Sequence, residues 1–489
     1  NGSDAVIRRS VIVVKISPIK VLLLSVMVSL FAFGGQAFAA AGDVVRTAEP
    51  FTGKVLVEGL DGPWEMLWGP DNMLWVTERL GKRIVRVDPA NGTVREAARI
   101  DRANAAGGHE GILGLALAPD FLKKGGKNYV YVVYTYKSSP SQSKSDFKRI
   151  ARFRFDAKSE KLVDEKVILD KIPAGDDHNA GRIVFGPDGK LYLSLGELGH
   201  NQGANMLLPN EAQRLPSAAE VRKSDWSSYV GKVLRIEPDG SIPRDNPVLD
   251  GVRSHIFTYG HRNSQGLVFV GENLFSCEHG PSTDDEINLL VSGGNYGWPI
   301  VAGFRDNQAY TYADWSKADK SAVDKYDPNQ PNIIPEGVPV IRELDWNAPN
   351  FKEPLKTFYT VPNSYNFKDS RFEKLPYLFW PTVAPSSITY YPADGAIEAW
   401  RNSLIITTLK TGELYRMKLN ADGKTLQGDA IPYFHTANRY RAAVVSPDTK
   451  SIFVITDKGG NVLDRNYMPT SQVDNSGAII VFTYAGEGK

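Results

Sequence analysis

Cysteine is almost absent: Cys277 is the single one among 489 residues. No intramolecular disulfide can form, so the fold must be held by its core, by metal or by self-association. Cys277 itself reads as a small buried apolar residue. An excess of one charge is also missing, since 57 Lys plus Arg stand against 56 Asp plus Glu, a net charge of +1. That balance excludes the strongly basic surface of a nucleic-acid binder, and any charge that matters must be local. Beyond the first forty residues no apolar run reaches the ~20 residues of a spanning helix, and helix-period runs are scarce. What is present is an ordinary globular composition, 42% hydrophobic and 23% charged, enough to bury a sizeable core.

The amino terminus differs from the rest. Arg8, Arg9, Lys15 and Lys20 precede an apolar run from Val21 to Gly34, and Ala37-Phe38-Ala39 offers small residues at a cleavage-like position. This predicts a secretory leader over residues 1–39, a mature domain over residues 40–489, and export to the periplasm or beyond. A membrane anchor is the alternative, for which the run is short.

A repeat runs through the remaining chain. Gly69-Pro70-Asp71 leads into "MLWVTE", Ala118-Pro119-Asp120 into "YVYVVYT", Gly186-Pro187-Asp188-Gly189 into "LYLSLGE" and Ser446-Pro447-Asp448 into "IFVITD"; "LFSCEHG" and "LIITTLKTG" follow weaker turns. Each is followed by a second strand pattern: "RIVRVD", "RIARFRFD", "KVLRIEPDG", "EINLLV", "LYRMKL" and "IIVFTY". Six such pairs predict an all-β, six-bladed propeller of four-stranded antiparallel sheets. A pair of β-sandwiches would accommodate this regular order less naturally. Long insertions around Gln202 to Trp226 and Phe304 to Tyr377 are placed to build a binding face.

Polar clusters punctuate this frame. "DDHNAGR" sets His178 in a polar loop before a strand, where it is either an ordinary loop histidine or a base. "GHRNSQG" (Gly260 to Gly266) gathers cationic, amide and glycine residues suited to a planar polar ligand, or forms a surface turn. "HGPSTDDEINLL" concentrates carbonyls and carboxylates as a hard cation demands, without EF-hand spacing; a solvated acidic turn is equally consistent. In "NRYRA", Arg439 and Arg441 share a face if the segment is a strand and could grip carboxylates. Lys410 alone reads as any solvated lysine. Tyr377 and Trp380 in "YLFWPTVAPSS" are aromatic surfaces of the kind that stack on sugars or simply pack in a core.

Taken in order, "DHNAGR", "YVGKVLRI", "GSIPRDNP", "GHRNSQGL", "GPSTDDEINLL", "GGNYGWP", "WPTVAPSS" and "NRYRA" closely resemble the soluble pyrroloquinoline quinone (PQQ)-dependent glucose dehydrogenases, from about Val44 to Tyr484. The resemblance implies aldose oxidation at the anomeric carbon, with PQQ and calcium (Ca2+) as cofactors, and a homodimer. It makes His178 the base, Glu197 the carboxylate that orients it where the family has an aspartate, and Arg262 the cation beside the reactive carbonyl. Asn263, Gln265, Thr382, Lys410, Arg439 and Arg441 become cofactor contacts, and Asp177, Tyr377 and Trp380 substrate contacts. The carbonyls of Gly280 and Pro281 hold the active-site calcium; Asp285, Glu286, Tyr296, Ala302, Phe304, Asp306 and Glu343 fall where structural calcium sits. Two departures lie at substrate positions: His109 replaces a glutamine and Gly203 a leucine. No Cys-x-x-Cys-His haem motif is present, so electrons would leave to a separate acceptor. The competing readings are a calcium-dependent propeller lactonase or esterase, with metal held by side chains on the channel axis, and a non-catalytic sugar-binding propeller.

Overall fold

A computed structural model describes residues 49–368 and 375–486; the predicted leader lies outside the described residues. Six four-stranded antiparallel sheets are arranged as blades. Their innermost strands are Pro63–Trp68, Ile112–Leu117, Ala180–Phe185, Ser264–Val270, Pro385–Tyr391 and Tyr440–Val445, and each packs against the next around a closed ring. Blade 6 is completed from the other end of the chain. Its outermost strand is Phe51–Val57, paired with Ile479–Tyr484, so the ring is closed by backbone hydrogen bonds rather than by a disulfide. Among the described residues, no helix is long and apolar enough to cross a membrane.

The two strands legible in each repeat are the middle pair of each blade. Leu74–Glu78, Leu191–Leu195, Lys232–Ile236 and Ser403–Thr408 are buried along their whole length, because both faces pack against neighbouring blades. Such strands read as continuous β-branched and aromatic runs. The core is accordingly distributed between blades: Leu113, Val133 and Ile150 of blade 2 meet Ile183, Leu193 and Leu234 of blade 3, for example. Each fully buried Leu or Ile stabilises by about 1.5–3 kcal/mol. A few such contacts at every blade interface outweigh the ~2–4 kcal/mol of a typical disulfide.

All six innermost strands share one irregularity. The pairing slips near the first residues of each, between Pro63 and Glu65, Ile112 and Leu115, Ala180 and Ile183, Ser264 and Gly266, Pro385 and Ser387, and Tyr440 and Ala442. A bulge re-aims a side chain and ends the ladder. Here it turns Trp64, Gln265 and Arg441 toward a cavity over that end of the channel.

Beneath the cavity, Arg182 of blade 3 spans the channel. Its Nε donates to the Gln265 carbonyl (3.0 Å), its Nη2 to that of Ser386 (3.1 Å), and its Nη1 pairs with the Glu65 carboxylate of blade 1. The guanidinium lies 4.4 Å from the Trp64 ring centre. Burial raises the Glu65 carboxyl above its ordinary value, with Arg182 opposing in part. Removing one member of a buried pair strands the other, at about 3–5 kcal/mol. Arg182→Met is therefore expected to lower unfolding stability by roughly that amount in denaturant melts, and a loss below ~1 kcal/mol would show that the pair does not tie the blades.

Candidate functional site

The cavity encloses about 370 Å³, within the range of small-molecule sites. Every blade contributes, from the start of its innermost strand or the end of its second strand. Blade 3 supplies His178, whose φ of +36° turns it off the strand axis. Its Nδ1 lies 2.5 Å from Glu197 Oε1. Glu197 is fully buried, and its other oxygen accepts from Asn210 Nδ2 (3.2 Å). A carboxylate there favours the tautomer with hydrogen on Nδ1, leaving the Nε2 lone pair free. The extra methylene of glutamate does not break the contact. The approach requires glycine at 196, where a Cβ would stand 1.8 Å from the His178 carbonyl oxygen.

Arg262 faces the same space. Its Nε and Nη2 donate to Gln202 Oε1 (3.0 and 2.5 Å), and Gln202 Nε2 reaches Glu197 Oε1 at 3.4 Å. Gln202 thus joins the cation to the histidine and carboxylate pair. Sequence reasoning missed it, although it opens the blade 3 insertion beside the residue that was singled out, Gly203. Gly203 itself is exposed, with φ +47° and open space where a side chain would go, and is not part of the cavity wall. Gly203, expected as a substrate contact, thus stands outside the cavity wall, while Gln202 beside it turns toward Arg262 and Glu197.

His109 lines the cavity, and Asp177 stands beside it outside the wall. His109 stacks on His178 with ring centres 6.0 Å apart, and its Nδ1 lies 3.0 Å from the His178 amide and 3.1 Å from Asp177 Oδ1. The ring is half exposed, but to the cavity; enclosure there lowers its pKa, opposed by Asp177 and reinforced by His178, Arg441 and Arg79. His178→Ala removes this stacking partner as well as the lone pair.

The opposite wall is cationic. Lys410 Nζ donates to Thr382 Oγ1 (2.9 Å) and the Trp380 carbonyl, and burial pushes its ammonium below the ordinary value. Arg441 grips both oxygens of Asp457 (2.8 and 2.8 Å), and Arg439 Nε reaches Oδ2 at 3.1 Å. Burial raises Asp457, but Arg441 and Arg439 overcome it and hold the carboxyl at about 2. Five cationic side chains line the cavity, Arg79, Arg262, Lys410, Arg439 and Arg441, against one carboxylate, Asp285. Asn263 also lines it, with a buried Nδ2 that has no partner among the described residues. Tyr377 and Trp380 form the rim, with Asn461 Nδ2 donating to the Tyr377 hydroxyl (2.7 Å) and Trp380 Nε1 to the Phe367 carbonyl (3.3 Å). His279, Trp64 and Arg79 are further wall residues that the sequence reading did not name.

Gly280 and Pro281 line the cavity too. Their loop is set by Asp285, whose Oδ1 accepts from the Gly280 amide (2.8 Å) and whose Oδ2 accepts from Val383 (2.6 Å) and Ala384 (2.7 Å). Asp285, expected with the structural calcium residues, lines the cavity and ties the Gly280 loop to blade 5. Glu286, Asp306 and Glu343 lie outside the cavity wall. Glu286 accepts from the Gly303 amide (2.7 Å) and Glu343 from those of Ala302 (3.1 Å) and Asn307 (2.7 Å). Burial raises Glu286 well above its usual range and Glu343 to about 8. Asp284 is likewise raised by burial, to about 7, with a buried Oδ2 that lacks a partner among the described residues. These carboxylates repel one another, but among the described residues no three or more such side chains come together as ligands for a metal ion. The Tyr296 hydroxyl is taken by the Leu289 carbonyl (2.7 Å), and the Phe304 side chain is exposed, so only their backbones can serve such a site.

Residues 60–340 and 358–464 match the glucose / sorbosone dehydrogenase family. The chain is 41% identical over 474 residues to quinoprotein glucose dehydrogenase B of Acinetobacter calcoaceticus, covering 95% of this chain and 98% of that protein. Aldose sugar dehydrogenase YliI of Escherichia coli is 25% identical over 417 residues, 84% of this chain and 91% of its own. Among solved structures, the PQQ-bound aldose sugar dehydrogenase of Streptomyces coelicolor superposes with a TM-score of 0.59 at 25% identity, over 89% of this chain and 99% of that one. On the match across most of its length, the chain belongs to the glucose / sorbosone dehydrogenase family.

Proposed function

We propose that the protein oxidises aldose sugars at the anomeric carbon to the lactone, using pyrroloquinoline quinone with calcium beside it. The observation that carries this reading is the wall of five cations against one carboxylate, facing a histidine and carboxylate pair across one cavity. Excess positive charge in an enclosed space calls for a polyanionic ligand. Lys410, Arg439, Arg441 and Thr382 would hold the quinone's carboxylates, Asn263 and Gln265 its polar edge, and the Gly280 and Pro281 carbonyls the calcium. Bound there, the quinone supplies a two-electron acceptor for the anomeric hydride, and calcium supplies a Lewis acid.

The chain's own residues do the rest. His178 Nε2 takes the proton of the anomeric hydroxyl as the carbon loses its hydride, and Glu197 on Nδ1 favours the imidazolium that forms. Arg262, braced by Gln202, presents positive charge where negative charge gathers. Tyr377 and Trp380 offer faces to the sugar ring. A side-chain metal on the channel axis, as a lactonase would need, competes with the Arg182 and Glu65 pair already spanning that space. Structural calcium near Glu286, Asp306 and Glu343, export to the periplasm, a homodimer and a separate electron acceptor complete the proposal.

Reconstitution with the quinone and calcium, assayed with an artificial acceptor and a panel of aldoses, tests it; no aldose-dependent reduction would reject it. A chelator is expected to abolish this activity and to lower the melting temperature of the quinone-free protein. If chelation changes neither, both calcium assignments fail. Sugar preference is expected to shift in His109→Gln, because a directed hydrogen bond at the mouth discriminates strongly while lost apolar volume is worth only about 1–3 kcal/mol. Gly203→Leu should leave preference as it is, since position 203 faces away. Steady-state comparison of mono- and disaccharides reads both, and an unchanged profile in His109→Gln would remove His109 from the sugar site.

A further inference from the structure

Arg79 follows directly on the second strand of blade 1 and lines the cavity beside Arg439 and Arg441. Its Nη1 donates to the carbonyls of Gly108 (2.7 Å) and Glu110 (2.9 Å), the two residues flanking His109. That loop has little stiffness of its own, because Gly107, Gly108 and Gly111 have φ of +147°, +52° and +125°, conformations that glycine enters freely. A Cβ on Gly111 would lie 2.2 Å from the Arg79 carbonyl oxygen, so the loop and the segment at Arg79 meet backbone to backbone. From the other side the loop is held by blade 3, with the His109 amide donating to the Asp176 carbonyl (2.9 Å) and Asn179 Nδ2 to the His109 carbonyl (3.2 Å). Among the described residues, Nε and Nη2 of Arg79 have no hydrogen-bond acceptor. Burial and the adjacent Arg441 depress its pKa, with Asp457 and Glu110 opposing.

We infer that Arg79 is a fourth cation of the carboxylate cradle, with Lys410, Arg439 and Arg441, and at the same time the positioning residue that fixes His109. The inference rests on the reading of the cavity as a quinone and sugar site. One nitrogen of the guanidinium is spent on the loop, and the free donors are left to an anion in the cavity. Occupation of the cradle and placement of His109 are therefore coupled through a single planar group. A lysine keeps the charge but, as a point donor, cannot clasp two carbonyls and face an anion in the same way.

The test titrates pyrroloquinoline quinone, with calcium, into wild type, Arg79→Gln and Arg79→Lys, following tryptophan fluorescence, and then measures kcat and KM for an aldose. Arg79→Gln is expected to weaken quinone binding by about tenfold or more and to raise KM about tenfold, the loss falling on KM rather than kcat. Arg79→Lys should recover quinone affinity to within about threefold but not KM. In a His109→Gln background, Arg79→Gln should raise KM by less than it does alone, because the loop then has no histidine to place. Thermal melts check that each variant is folded; should Arg79→Gln fail to fold, the lysine variant decides, and an unchanged KM in it overturns the positioning role. Unchanged quinone affinity in Arg79→Gln, or additive KM effects with His109→Gln, overturns the inference. Failure of wild type itself to bind the quinone would instead reject the proposed function.

Discussion

Alanine in place of His178 is expected to slow sugar-driven reduction of bound quinone by about 10²–10⁴-fold, on the order of 3–5 kcal/mol in the barrier, while quinone affinity changes only a few-fold. The split follows from where the groups sit. His178 stands on blade 3 with its Nδ1 committed to Glu197, whereas the part of the cationic wall proposed to hold the quinone's carboxylates, Lys410, Arg439 and Arg441, comes from blades 5 and 6. Removing the imidazole takes away the Nε2 lone pair and touches no member of that wall. Single-turnover absorbance at saturating cofactor and sugar isolates the step. A near wild-type rate would mean that another group takes the proton, with Glu197 and His109 next in line. Glu197→Gln sharpens the result: an amide keeps a hydrogen bond to Nδ1 but withdraws the charge that favours imidazolium, so a smaller loss of rate is expected.

The converse is expected of Arg441→Ala: quinone affinity falls by about 10–100-fold, and turnover of the fully loaded enzyme falls much less. A hydrogen bond to a charged group contributes about 1.5–3 kcal/mol, which sets that range. Arg441 carries more of the cradle than Arg439 because it grips Asp457 through two nitrogens and reaches Gln265 Oε1 at 3.4 Å, so its loss frees both Asp457 oxygens and the Gln265 oxygen. Arg439 spends its Nη1 on the carbonyls of Leu409 and Asn461. Titration of each variant with the quinone distinguishes them, and equal affinities for Arg441→Ala and wild type would remove Arg441 from the cradle.

The fold was legible because its middle strands are buried on both faces. Runs such as "LYLSL" and "KVLRI" cannot be solvent-facing, and their Pro-Asp turns repeat. The outer strands were hidden for the opposite reason: Phe51–Val57 and Val94–Arg99 are mostly exposed and carry no apolar pattern. The innermost strands were hidden by their bulges, which break the alternation that marks a strand. Likewise, the sequence brought forward site residues in dense polar motifs, such as His178, Arg262 and Arg441, which the fold gathers around one cavity. It did not bring forward Gln202, Arg79 or Asp285 in their actual positions. Their importance comes from partners 60, 29 and 98 residues away, which no local motif contains.

The central claim is that one cavity holds the quinone and exposes it to an aldose. Titrating pyrroloquinoline quinone with calcium into the purified protein without other acceptors, then adding glucose, tests it in one cuvette. The account predicts saturation at one quinone per chain and full reduction of the bound quinone's absorbance, with one sugar oxidised per quinone. Saturable binding that no aldose reduces, or no saturable binding at all, would contradict it.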